Sequence, residues 1–204
     1  LFERSKSLEM SGVKILEKHQ LLEKEPNSKI SQGLFVPQAG VVNYKIVTNT
    51  MSEIFKKNGG DIEYFQEIVN ISDNADTKTV ESKKDIFSGD FLINCAGLFS
   101  DKVAKLDGLF PKVKIIPFRG EYYELITEKS HLLNNMIYPI ADPDLPFLGI
   151  HLTKTIDGKI EAGPNAVLAF AREGYSWSKI NVSQTLETIT YKGMIKLGRK
   201  YIKT

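Results

Sequence analysis

The 204 residues predict an α/β region over roughly 33–110, followed by a mostly antiparallel β region over roughly 111–190. Three features of the sequence carry this reading. Tyr44, Val47, Met51, Ile54 and Phe55 recur near the helical period, behind Asn43 as an N-cap and ahead of Gly59-Gly60 as a stop. Phe91-Leu92-Ile93 is a short continuous apolar run, which suits a strand buried on both faces of a layered α/β domain. Phe147 to Thr155 and Lys159 to Gly163, joined through Asp157-Gly158, form the clearest hairpin pattern in the chain.

The remaining elements follow in order. Residues 1–32 are expected to join the antiparallel part: 1 to about 25 are charged and helix-prone, but Leu8, Leu16, Leu21 and Leu22 define no single face, and Pro26-Asn27-Ser28 breaks them. Gly33-Leu34-Phe35-Val36-Pro37 with Gly40-Val41-Val42 reads as a loop over a surface. After the helix at 44, Ile62, Tyr64 and Ile68 suggest a strand, and Thr79-Val80-Glu81 and Asp85-Ile86-Phe87 suggest two more. The run at Phe91 ends in Asn94-Cys95-Ala96-Gly97, and Ser100 can cap a short helix through Val103, Ala104 and Leu106, closed by Gly108. Val113 to Leu125 reads as one long strand and Met136 to Ile140 as another. Over 191–204, Tyr191, Met194, Ile195 and Ile202 keep helical spacing among Lys192, Lys196, Arg199, Lys200 and Lys203, so the chain is expected to end inside an amphipathic helix.

Composition excludes several classes. Lys+Arg 27 against Asp+Glu 25 leaves +2, too small and too evenly spread for a nucleic-acid footprint. Cys95 is the single cysteine and asks for no oxidising compartment, which points to a cytoplasmic setting. No apolar run approaches the roughly 18 residues needed to span a bilayer, although the basic terminal helix could touch the inner face of a membrane peripherally. His19, His131 and His151 lie far apart and cannot supply a metal cluster with one cysteine. Dinucleotide, phosphate-loop, zinc-protease and serine-hydrolase signatures are all absent from the 204 residues.

What remains is polar residues set within apolar strands. If Val113 to Leu125 is one strand, period two places Arg119, Glu121 and Tyr123 on one face with Ile115 and Leu125. An Arg and a Glu on a buried face must pair or bind something. Arg119 could hold a carboxylate with its two-donor fork, pair with Glu121, or sit wet at a strand edge. His151 shares a face with Phe147, Gly149 and Thr153, opposite Leu148, Ile150 and Leu152, and is either exposed or catalytic. Arg172 reads as a loop ion pair or a ligand, Tyr138 as packing beside Pro139 or a donor, and Cys95 as a small buried residue.

Two sets of segments carry a family resemblance. Ile93-Asn94-Cys95-Ala96-Gly97-Leu98 with Ser100-Asp101 resembles the strand-to-turn passage near FAD in D-amino-acid-oxidase-like flavoproteins. Pro117-Phe118-Arg119-Gly120-Glu121-Tyr122, Tyr138-Pro139-Ile140, Pro146-Phe147-Leu148-Gly149-Ile150-His151-Leu152-Thr153, Gly163-Pro164-Asn165-Ala166 and Arg172-Glu173-Gly174-Tyr175 resemble, in order and spacing, the L-2-hydroxyglutarate oxidase/dehydrogenase family. That family also carries a Gly-x-Gly-x-x-Gly turn seating the FAD pyrophosphate, and a nearby histidine segment; neither occurs in these 204 residues. The chain is therefore expected to be an interior segment: a partial Rossmann-like FAD-binding domain over 33–110 and an antiparallel substrate-binding domain over 111–190.

The resemblance implies oxidation of L-2-hydroxyglutarate to 2-oxoglutarate by hydride transfer to FAD, with oxygen or a quinone as electron acceptor. It implies Ile68, Cys95, Ala96 and Gly97 near the cofactor, Arg119, Tyr123, Tyr138 and Arg172 near the dicarboxylate substrate, and His151 as ligand or base. FAD is expected in the intact protein and is not expected to be retained by this segment alone. The alternatives are an FAD-dependent oxidase or dehydrogenase of another small hydroxy or amino acid, and a non-catalytic binding domain derived from the same fold. Oligomeric state is not legible.

Overall fold

The computed structural model describes residues 1–74, 76–145 and 147–201, so Ala75, Pro146 and the terminal Ile202, Lys203 and Thr204 lie outside the described residues. The chain divides into two units, Leu1–Ile54 with Gly120–Ala166, and Phe55–Arg119 with Val167–Thr204. No described helix is long and apolar enough to cross a membrane, and no metal-holding cluster of His, Cys, Asp or Glu occurs among the described residues. The whole is a mixture of short helices and small antiparallel sheets.

In the first unit, α1 (Phe2–Ser7) leads to β1 (Lys14–Glu17) and α2 (Lys18–Lys24). The start of α2 is a reciprocal cap: the Glu17 side chain accepts the third helical N–H, and the Glu17 N–H donates to Gln20 Oε1 at 3.0 Å. β2 (Gln32–Phe35) pairs antiparallel with β1, with Leu16 opposite Gly33. The stretch expected to be a surface loop is thus a strand: a Cβ on Gly33 would come within 3.2 Å of Leu21, so the glycine lets α2 lie close over the pair. β7 (Tyr123–Glu124), β9 (Ile160–Gly163) and β8 (His151–Lys154) form an antiparallel sheet in that order, with Ile160 fully buried. The β8–β9 hairpin agrees with its sequence pattern; Gly158 takes φ +85, and the Thr155 N–H closes on the Lys159 carbonyl at 2.8 Å.

α3 (Tyr44–Lys57) begins in the first unit and ends in the second. Asn43 Oδ1 accepts from Lys45 and Ile46 N–H at 3.0 and 3.3 Å, as its cap position predicts, and Gly59 ends the region at φ +87. None of its residues is buried, so the predicted apolar stripe of Tyr44, Met51 and Ile54 is present but exposed.

The second unit is built on an antiparallel meander, β3 (Ile68–Asn74), β4 (Thr77–Ser82) and β5 (Ile86–Gly89). Ile71, opposite Val80, is its buried centre. α4 (Ser100–Leu106) follows the Asn94–Gly97 turn. β6 (Phe118–Arg119) pairs with β10 (Val167–Leu168), Arg119 opposite Val167. α5 (Val182–Ile189) is capped by Asn181, whose Oδ1 accepts from the Gln184 N–H at 3.1 Å, and α6 (Lys192–Tyr201) is the predicted basic helix.

Four further expectations are corrected. Val113 to Leu125 is not one strand: β6 and β7 belong to different sheets in different units, separated by Gly120-Glu121-Tyr122. A Cβ at Gly120 would fall 2.5 Å from Pro164, an approach only glycine permits, and the break there resets the side-chain alternation. Phe91-Leu92-Ile93 forms no strand and is not buried; Phe91 and Ile93 are 91% and 83% exposed, because no described strand pairs with them. Met136 to Ile140 contributes only the isolated Ile137–Leu152 bridge, and Ile62 to Tyr64 precede the first strand of the meander rather than forming it.

Candidate functional site

His151 opens β8, and its register decides which side chains accompany it. Leu152 and Tyr123 both stand opposite Ala162, whereas His151 stands opposite Gly163 and Thr153 opposite Glu161. Directly paired residues share a face and neighbours alternate, so His151, Gly163 and Thr153 occupy one face and Tyr123, Ala162 and Leu152 the other. Tyr123, expected beside the substrate residues, therefore lies across the sheet from His151. The aromatic on His151's face is its neighbour: a Cβ on Gly163 would meet the Tyr122 ring at 2.6 Å, so Tyr122 covers the space that glycine leaves. Period-two counting from Arg119 missed Tyr122 because the alternation restarts at the break. The signal that would have found it is the hairpin glycine opposite the histidine.

Tyr138 follows the Ile137–Leu152 bridge, whose N–H and carbonyl groups exchange two bonds of 2.9 Å. Its ring stacks on the His151 imidazole with centroids 4.4 Å apart and planes 22° from parallel. Its hydroxyl lies 3.4 Å from Thr153 Oγ1. His151 Nδ1 is 3.2 Å from the Gly149 carbonyl oxygen. A carbonyl oxygen only accepts, so this contact assigns a proton to Nδ1, and in the neutral imidazole the lone pair is then on Nε2. The half-buried imidazole is thus held by a stacked ring on its face and a carbonyl at one nitrogen.

The second unit holds Arg119, Arg172 and the residues expected near a cofactor. Arg119 is buried, its guanidinium lies 4.3 Å over the Trp177 ring, and Nη1 is 3.4 Å from the Gly174 carbonyl. Arg172 is buried too, and the fork expected for a substrate carboxylate is occupied by Asp101: Nη1 donates to Oδ1 and Nη2 to Oδ2, the latter at 2.8 Å. Nη1 also donates to the Leu98 carbonyl. Burial pushes the Asp101 carboxyl up, but the Arg172 hydrogen bonds and charge, with the Ile115 N–H and Lys102, outweigh it and hold the group below its ordinary value. Glu187 is likewise held low, first by its hydrogen bond from Lys102, against burial, and then by the charges around it.

Arg172 thereby ties its loop to the turn at 94–100. Within that turn Asn94 Nδ2 donates to the Ser100 carbonyl at 2.8 Å, Asn94 Oδ1 accepts the Ala96 N–H at 3.1 Å, and Ser100 Oγ donates to the Gly97 carbonyl at 2.8 Å. Gly97 adopts φ +52. Cys95, expected to be buried, is exposed, as are Ala96 and Gly97, and Ile68 is half-buried at the start of β3.

The FAD dependent oxidoreductase family matches residues 1–197. The chain belongs to that family. As an FAD dependent oxidoreductase it resembles L-2-hydroxyglutarate dehydrogenase from Indibacter alkaliphilus, with 42% identity over 100% of this chain and 51% of that protein. The mitochondrial L-2-hydroxyglutarate dehydrogenase of Caenorhabditis elegans is also 42% identical, over 98% of this chain and 48% of its own. The chain thus spans about half the length of the curated relatives it matches. Among solved structures, glycine oxidase from Geobacillus kaustophilus superposes with TM-score 0.66 at 14% identity, covering 89% of this chain and 45% of that one. Glycine oxidase from Bacillus cereus gives 0.64 at 18%, covering 98% and 51%. These likenesses establish the fold of the family.

Membership implies FAD in the intact enzyme. The residues here that could hold part of such a cofactor are those of the Asn94–Gly97 turn. The Asn94–Gly97 turn is exposed, internally hydrogen-bonded, and open above Gly97, where an added Cβ would meet nothing within 4 Å. A flat cofactor needs that kind of close approach to backbone.

Proposed function

We propose that the intact protein oxidises L-2-hydroxyglutarate to 2-oxoglutarate, and that this chain supplies the proton acceptor for the reaction. The observation that carries the assignment of chemistry is the His151 imidazole, fixed by Tyr138 and the Gly149 carbonyl with its Nε2 lone pair available. The names of the relatives, matched along the whole of this chain, support the choice of substrate.

In this reading His151 Nε2 takes the hydroxyl proton of the substrate as the carbon becomes a ketone. Stacking on Tyr138 fixes the plane of the imidazole, so the lone pair keeps one direction. The Tyr138 hydroxyl, 3.4 Å from Thr153 Oγ1, is the group proposed to donate to a substrate oxygen, and Tyr122 covers the sheet beside the histidine. FAD, when bound, supplies the two-electron acceptor for the alcohol oxidation. Ile68, Cys95, Ala96 and Gly97 are the residues proposed to meet it, and Arg172 with Asp101 keeps that turn in shape. Arg119, set against Trp177, is a held cation suited to a carboxylate. An external acceptor, oxygen or a quinone, completes turnover.

Steady-state oxidation by the intact protein tests the substrate. The expected order is L-2-hydroxyglutarate well ahead of D-2-hydroxyglutarate and glycine in kcat/KM. A preference for glycine or another amine would replace this substrate with an amino acid.

A further inference from the structure

The Tyr138 segment needs an anchor, because among the described residues its backbone pairs with the sheet through one isolated bridge. The anchor is a buried carboxylate far away in sequence. Glu25, just after α2, is 6% exposed. Its Oε1 and Oε2 each accept from the Asn134 N–H at 3.1 Å, and Oε1 also accepts from the Asn135 N–H and, at 2.7 Å, from Asn135 Nδ2. The Asn134 side chain returns a bond to the Lys24 carbonyl at 2.9 Å. Residues 134–138 are therefore held at one end by Glu25 and at the other by the Ile137–Leu152 bridge, and Tyr138 leaves that bridge to stack on His151.

We infer that Glu25 is a positioning residue for the Tyr138–His151 pair, acting through the Asn134–Asn135 backbone. The inference rests on the proposal that His151 accepts the substrate proton. A carboxylate suits this place because the segment presents only donors: both oxygens accept, and no reorientation is needed. Removing an acceptor takes the carboxylate partner from the part-buried bonds of the Asn134 and Asn135 N–H groups, and the segment shifts as they turn to water. A shift of this kind moves Tyr138 and frees the imidazole plane.

The test is a double-mutant cycle on the flavin-loaded intact protein, read as kcat for L-2-hydroxyglutarate. Glu25→Gln keeps the side-chain length but turns one acceptor into a donor facing Asn134. It is expected to lower kcat roughly 10-fold in the natural background, the order of loss that a small misplacement produces. In a His151→Asn background it should change kcat less than 2-fold, because the group it positions is gone. Asn135→Ala, which removes a single side-chain donor at an exposed position, should show the same dependence on His151 with a smaller loss, and decides the matter if Glu25→Gln does not fold. Equal losses in both backgrounds overturn the inference and leave His151's role intact. An unchanged kcat in His151→Asn alone overturns both.

Discussion

Exchanging His151 for Asn in the flavin-loaded intact protein is expected to lower kcat for L-2-hydroxyglutarate by about 10²- to 10⁴-fold, the usual share of a positioned general base. Asparagine suits the test because its amide N–H can still donate to the Gly149 carbonyl, as His151 Nδ1 does at 3.2 Å, while nothing replaces the Nε2 lone pair. The side chain remains small enough to lie under Tyr138, so stability and KM should change little. Steady-state kinetics alongside thermal unfolding separate the outcomes. A variant that melts normally and keeps its kcat would remove His151 from the chemistry.

The second large effect is on stability. Arg172→Met should destabilise the protein by about 3–5 kcal/mol, because it leaves the buried Asp101 carboxylate without its bidentate partner. For a chain of these 204 residues each kcal/mol lowers Tm by roughly 2–4 °C, so a fall of about 6–20 °C is expected for it. The double variant Arg172→Met with Asp101→Leu should recover part of that loss, since replacing both charges removes the uncompensated one. The same pair sets an acid limit. A carboxyl lowered in the folded state stabilises fully above its unfolded value of about 3.9, and that contribution disappears as pH falls through the lower folded value. Differential scanning calorimetry of the three proteins checks both statements. An Arg172→Met protein with unchanged Tm would mean the pair contributes nothing net.

Local signals were legible and long-range ones were not. Asn43, Gly59 and the Tyr44-to-Phe55 repeat placed α3 because capping and periodicity are properties of a few consecutive residues. Asp157-Gly158 placed the β8–β9 turn for the same reason. His151 and Tyr138 were singled out separately, but their stacking depends on the Ile137–Leu152 bridge, which no local pattern encodes. Reading Val113 to Leu125 as one strand failed at Gly120, whose close approach to Pro164 is a tertiary fact, so Arg119 and Tyr123 lie in different sheets rather than on one face. Arg172 read as a loop ion pair or a ligand, and no local pattern could name its ion-pair partner, because Asp101 lies 71 residues away. Glu25 gave no sign at all, since a glutamate before a proline in a charged segment looks solvated until its 109-residue contact to Asn134 is seen.

The most direct test of the central claim is anaerobic mixing of the intact protein with L-2-hydroxyglutarate, following the flavin absorbance of the natural protein and of His151→Asn. Without an external acceptor, oxidation of the substrate must appear as bleaching of the flavin, so binding, chemistry and reoxidation are separated. The expected result is rapid, complete bleaching in the natural protein, slowed by about 10²- to 10⁴-fold in the variant, with substrate binding preserved in both. A flavin that stays yellow under saturating L-2-hydroxyglutarate, or that bleaches equally fast in both proteins, would contradict the account.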